Sequence, residues 1–278
     1  MKHRIVTMVL IVLAAALAPS SPASAQSGLT APLKVSSPNG DLTLAVEPDA
    51  AGHLSYSVTL KGRVVVDLSP LGVTVDGQDL GAQATFGRPR LSTTREIYPI
   101  LGGHSRAVNR SRDAVVTVTG GPAHTTWMLE VRVFDDGAAL RYRVPGSGSR
   151  HIEGESTAWK LPAGGTIWYQ DNVKRDYESP TRTAAVAEVA GQLMPGVNLM
   201  SGSLVRLAGE PLYLMMTEAN LTGYSDMALE VTGPNTFGAF FHNSPDGWTH
   251  TGEIVSPWRV TIVAANLNTL VNTDIIRN

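Results

Sequence analysis

Two glutamates, Glu153 and Glu155, stand two residues apart in "IEGEST". On a regular strand that spacing puts both carboxylates on one face, as a carboxylate pair acting on a glycosidic bond must be. It is equally the spacing of a solvated strand end, and that plainer reading is preferred. A second polar pair, Glu218 and Asn220 in "TEANLTGY", alternates with Thr217, Ala219 and Leu221 and so shares one strand face. On a sugar-facing surface Glu218 accepts from hydroxyls and Asn220 both donates and accepts. The alternative is that both tie a strand to its loop. In "WYQDNVKRDYESPT", residues 168–181, Trp168 leads into a charged, aperiodic stretch where Tyr177 adjoins Glu178. Trp258 and Arg259 in "SPWR" read as a core aromatic and its stacked or hydrogen-bonded partner. The seven histidines form no pair at i, i+2 or i, i+4 that would suggest a metal site. There is no Gly-x-Ser-x-Gly elbow and no Gly-rich phosphate loop.

These groups must be held by strands. Leu42, Leu44 and Val46 alternate with polar or small residues, as do Leu54, Tyr56, Val58 and Leu60 in "LSYSVTL". Leu129, Val131 and Val133 do the same, and after "DDG" (135–137) so do Leu140, Tyr142 and Val144. Period two marks antiparallel strands with one buried face, and the Asp-Gly step signals a hairpin. Helical pattern is confined to "AAVAEVA" (184–190) and "LNTLV" (267–271). No repeat and no long linker divides the chain, so a single all-β domain is expected.

Composition narrows the partners. Lys2 and Arg4, the apolar run 5–18 and "ASA" at 23–25 read as a signal peptide, residues 1–25, leaving a domain over 26–278. The expected location is exported, periplasmic or secreted. There is no cysteine, hence no disulfide and no thiolate metal site, and a chain of this size folds without them. The formal charge of −2 becomes more acidic once Lys2 and Arg4 are removed, which argues against nucleic acid and anionic membrane as partners. No later segment is apolar and long enough for membrane insertion.

Seven stretches occur in an order that resembles the N-terminal domain of glycoside hydrolase family 97. They are "SPNGDL" (37–42), "LSYSV" (54–58), "SPLGV" (69–73), "VFDDGAALRYRVP" (133–145), Trp168 with "DYE" (176–178), "TEANLTGYSDMALE" (217–230) and "SPWRVTIVA" (256–264). The region "GGHSRAVNRSRDAVV" (102–116) matches only loosely. The resemblance implies a large antiparallel β super-sandwich, galactose mutarotase-like, in an exported enzyme acting on α-glucosides or α-galactosides with calcium.

In the family a loop from this domain points into the active site of a catalytic (β/α)8 barrel, and a glutamate on it binds calcium. Glu178 matches that position to within one residue, and Tyr177, Glu218 and Asn220 become candidate sugar contacts. Calcium takes six to eight oxygens, so one loop carboxylate serves only in a site that a barrel completes. The sequence given ends at "LVNTDIIRN", where family members continue into the barrel. The expectation is therefore a supporting domain, not catalytic alone, whose barrel is supplied in cis or in trans. A stand-alone carbohydrate-binding β-sandwich is the alternative. A further expectation is an exposed apolar patch beside residues 168–181, with Tyr169 and Tyr177 unburied.

Overall fold

The computed structural model describes residues 32–171, 179–209 and 211–277. The proposed signal peptide, Tyr177 and Glu178 lie outside the described residues. Among the described residues most of the chain is strand, arranged as an eight-stranded, an eleven-stranded and a four-stranded antiparallel sheet. In the eight-stranded sheet Leu33–Ser36, Leu42–Pro48, Leu54–Leu60 and Arg63–Pro70 follow one another as a meander. Ala158–Lys160, Thr236–Phe240, Ala228–Gly233 and Leu199–Met200 complete it.

The eleven-stranded sheet begins with Arg182–Ala185, Thr166–Tyr169, Ser203–Arg206, Tyr213–Ala219 and Trp258–Ala264. It continues through Gly137–Val144 and Thr125–Phe134 to Arg106–Gly120, which pairs with Thr85–Phe86 and Arg90–Pro99. The alternation read from the sequence is the alternation of burial. Leu42, Leu44 and Val46 face the core, as do Leu129, Val131 and Val133 across the facing sheet. This is the all-β sandwich expected from period-two patterning.

The "DDG" hairpin forms, with Phe134 opposite Gly137 and two aspartates in the turn. Gly137 does not serve as a left-handed turn residue. A Cβ there would lie 2.5 Å from the Thr261 carbonyl oxygen, so glycine is required by close strand approach. "LNTLV" is a short helix, Leu267–Val271, capped by the Asn266 side chain on the Thr269 amide. "AAVAEVA" differs from expectation: Ala184 and Ala185 end a strand, and a 3-10 turn and the four-residue helix Val189–Gln192 follow.

A second apolar cluster occupies the outer face of the large sheet. Phe134, Ala139, Trp258, Val260 and Ile262 lie under Leu270 and Ile275 of the C-terminal segment. Trp258–Ala264 is consequently buried on both faces. The strand Arg106–Gly120 changes its buried face along its length. Ala114, Val116 and Val118 face the sandwich, whereas Ala107, Asn109 and Ser111 are buried on the opposite face. Pairing with Thr125–Phe134 runs unbroken to Ser111, so no bulge causes the change. The hairpin outruns the sandwich and is held instead by the C-terminal segment, where Asp274 Oδ2 accepts from the Val108 amide at 3.0 Å.

Candidate functional site

The strand Thr166–Tyr169 brings Trp168 to the outer face of the large sheet and buries Tyr169 beneath it. Tyr169 is 1 % exposed, which corrects the expectation that it is an unburied aromatic; strand alternation sends it into the main core. Trp168, Gln170, Thr181, Met200, Ser201 and Leu204 line a depression of about 230 Å³. Across the strands Trp168 stands opposite Leu204, Leu204 opposite Met215, and Met215 opposite Ile262. An apolar row therefore runs from the depression to the outer cluster. Leu204, Tyr213 and Met215 along it are only partly buried.

Beside this depression the described residues on either side of 172–178 are tied to one another. Arg182 Nε meets Asp171 Oδ2 at 3.0 Å, Gln170 Nε2 donates to the Ser179 carbonyl, and Ser179 Oγ donates to the Asp171 carbonyl at 2.6 Å. The residue after Glu178 is thus fixed and buried. Asp171 is occupied by Arg182. Among the described residues no three His, Cys, Asp or Glu side chains converge as a metal site. The described residues alone do not fit a calcium ion, which needs six to eight oxygens.

Glu218 points inward, toward the interior of the sandwich. It stands opposite Arg259 across paired strands, where its Oε2 accepts from Nη1 at 2.5 Å and its Oε1 accepts from the Met227 amide at 3.0 Å. Asn220 does not share its strand face. The strand ends at Ala219, and Asn220 turns the chain with φ 59°, in the left-handed region asparagine tolerates. The two residues form a strand-loop corner.

Glu153 and Glu155 are likewise separated, because a bulge between Ile152 and Gly154 shifts the register. Glu153 is exposed, and its Oε1 accepts from the Gly77 amide at 2.8 Å. The Glu155 side chain is fully buried, and its oxygens accept from Arg259 Nη2 at 2.6 Å and Nε at 2.9 Å. Sequence reasoning missed this centre: Arg259 clamps the fully buried Glu155 and the partly buried Glu218 carboxylates and lies over the Tyr224 and Phe241 rings. Burial works to lower the guanidinium pKa, but the Glu155 and Glu218 carboxylates outweigh it and hold it above its ordinary value. Trp258 is a core aromatic as expected, yet Arg132 and Arg141 lie over it rather than Arg259.

The geometry has relatives. The family model described as Glycosyl-hydrolase 97 N-terminal matches residues 35–278. A probable retaining alpha-galactosidase of Streptomyces bingchenggensis (strain BCW-1) is 29% identical over 265 residues, covering 91% of this chain and 38% of its own length. A glycoside hydrolase family 97 enzyme from Pseudoalteromonas sp. strain K8, solved with panose and with acarbose, superposes with a TM-score of 0.79 at 22% identity. The match covers 87% of this chain and 37% of that one. A beta-arabinopyranosidase superposes with a TM-score of 0.76 at 19% identity, covering 88% of this chain and 42% of its own. The chain thus spans about two fifths of the length of these relatives. On the family match over residues 35–278, the chain belongs to glycoside hydrolase family 97, as the N-terminal domain of that family.

Proposed function

We propose that this domain braces a catalytic barrel of an exported family 97 glycosidase and lends it a loop for calcium and sugar. The observation that carries this reading is the second apolar face of the large sheet. A sheet apolar on both faces needs two covers. The eight-stranded sheet is one, and the C-terminal helix covers only part of the other, leaving Leu204, Tyr213 and Met215 partly buried. Asp171 and Ser179, the described residues nearest Tyr177 and Glu178 in sequence, are pinned beside that face. It is there that Glu178 would lend one or two oxygens to a calcium ion, with Tyr177 and Trp168 beside an α-glucoside or α-galactoside. A bound calcium supplies positive charge to the sugar site, and this chain's part is to fix the direction of one ligand. Glu218 enters as a structural residue of the sandwich interior, through its hold on Arg259 and on the Met227 amide.

Calorimetric titration of calcium into residues 26–278 tests the division of labour. A single carboxylate should bind no better than the weakest complete sites, with a dissociation constant of about 10⁻³ M or above. Micromolar affinity that disappears in Glu178→Gln would mean that the domain carries a whole site, and the reading would be wrong.

A further inference from the structure

We propose that the strand Arg90–Pro99 is a self-pairing edge that joins two copies of this chain in a two-fold symmetric, antiparallel dimer. Among the described residues its strand partner is Arg106–Gly120, in ten unbroken pairs from Arg90 opposite Val115 to Pro99 opposite Arg106. Its other edge therefore presents the N–H and C=O of every second residue to the surroundings. Folded sheets normally protect such an edge with a bulge, an internal proline, a very short strand or charged side chains, and of these the strand has only the charges of Arg90, Arg95 and Glu96. This one is ten residues long, pairs without a bulge, and has its proline only at the last position. Two of its large apolar side chains stand well out, Leu91 at 65% and Ile97 at 66% exposure. They are six residues apart on one face, about 20 Å along a strand, and cannot cover each other within one chain.

Symmetry restricts how the edge can meet its copy. A two-fold axis that pairs two identical edges antiparallel must stand normal to the sheet, so one residue lies on the axis opposite itself. Arg95 on the axis would set Arg95 against Arg95, and Glu96 on the axis would set glutamate against glutamate. Like charges directly opposite destabilise a sheet. Thr93 on the axis would place Leu91 against Arg95. Thr94 on the axis avoids all of these. It sets Thr94 against Thr94, Thr93 against Arg95 and Ser92 against Glu96. Leu91 of each copy then faces Ile97 of the other, twice over, and Arg90 lies diagonal to Glu96 of the other copy. The register that joins the exposed apolar groups also sets no like charges directly opposite, although Arg95 of each copy lies diagonal to Arg95 of the other. This interface is separate from the outer sheet face assigned above to a catalytic domain, so either assignment can fail alone.

Sedimentation velocity of residues 26–278 across the micromolar range should show a reversible monomer–dimer equilibrium. Leu91→Glu with Ile97→Glu places carboxylate against carboxylate and should raise the dimer dissociation constant at least about tenfold. Leu91→Lys with Ile97→Glu places ammonium against carboxylate only in the stated register, and should return the constant to near its original value. Both doublets alter exposed side chains, and an unchanged thermal midpoint confirms that each folds. A monomer at every concentration would overturn the proposal. So would a dimer indifferent to the paired glutamates, which would point to the outer sheet face, or a Lys–Glu doublet as weak as the Glu–Glu one.

Discussion

Replacing Arg259 by Met is expected to lower the unfolding free energy by about 3–5 kcal/mol, the cost of leaving a buried charge without its partner. The guanidinium is fully buried and gives three hydrogen bonds, two to Glu155 and one to Glu218. Methionine fills most of the space but leaves the Glu155 carboxylate with no exposure to water and no cation. A urea titration followed by tryptophan fluorescence should show the midpoint falling at an unchanged slope. Adding Glu155→Gln to Arg259→Met should recover part of the loss, because a neutral amide tolerates burial better than an orphaned carboxylate. A double variant as unstable as the single one would show that the charge is not the cause.

Trp127→Ala should cost a similar amount, about 3–5 kcal/mol, for a different reason. Trp127 has no exposed surface, packs edge-on against Tyr142 with ring centroids 5.6 Å apart, and donates its indole N–H to the Leu80 carbonyl at 3.1 Å. Truncation opens a cavity and strips the Leu80 carbonyl of its donor. Trp127→Phe keeps much of the volume and loses mainly the hydrogen bond, so its cost should be clearly the smaller by the same titration. Equal losses in the two variants would contradict the cavity argument.

The strands were legible because a half-buried strand must alternate. "LTLAVEP" alternates in burial from Leu42 to Glu47. The sites were less so, because their geometry depends on breaks in that rule. The bulge at Ile152 and Gly154 sends Glu155 inward and leaves Glu153 outside, although a spacing of two predicts one face. Asn220 steps off the strand into a left-handed corner that nothing in "TEANLTGY" marks strongly. The clamp of Arg259 on Glu155 joins positions 104 residues apart, a pairing invisible to local pattern. "SPWR" read Arg259 as the partner of Trp258, whereas Arg259 is held by Glu155 and Glu218 and Trp258 lies under Arg132 and Arg141. The long hairpin was obscure for another reason. Its outer half answers to the C-terminal segment instead of the sandwich, so burial in Arg106–Gly120 changes phase midway.

We propose that this domain serves a glycosidase without performing hydrolysis itself. Its paired carboxylates are committed elsewhere: Glu155 is buried on Arg259, Glu218 is shared between Arg259 and the Met227 amide, and Glu153 caps the Gly77 amide. No two of them flank an open space where a glycosidic bond could lie. The direct measurement is release of nitrophenol from nitrophenyl α-glucoside and α-galactoside by purified residues 26–278, with calcium present. The account predicts a rate indistinguishable from buffer. Turnover that persists through purification and vanishes on Glu153→Gln or Glu155→Gln would contradict it.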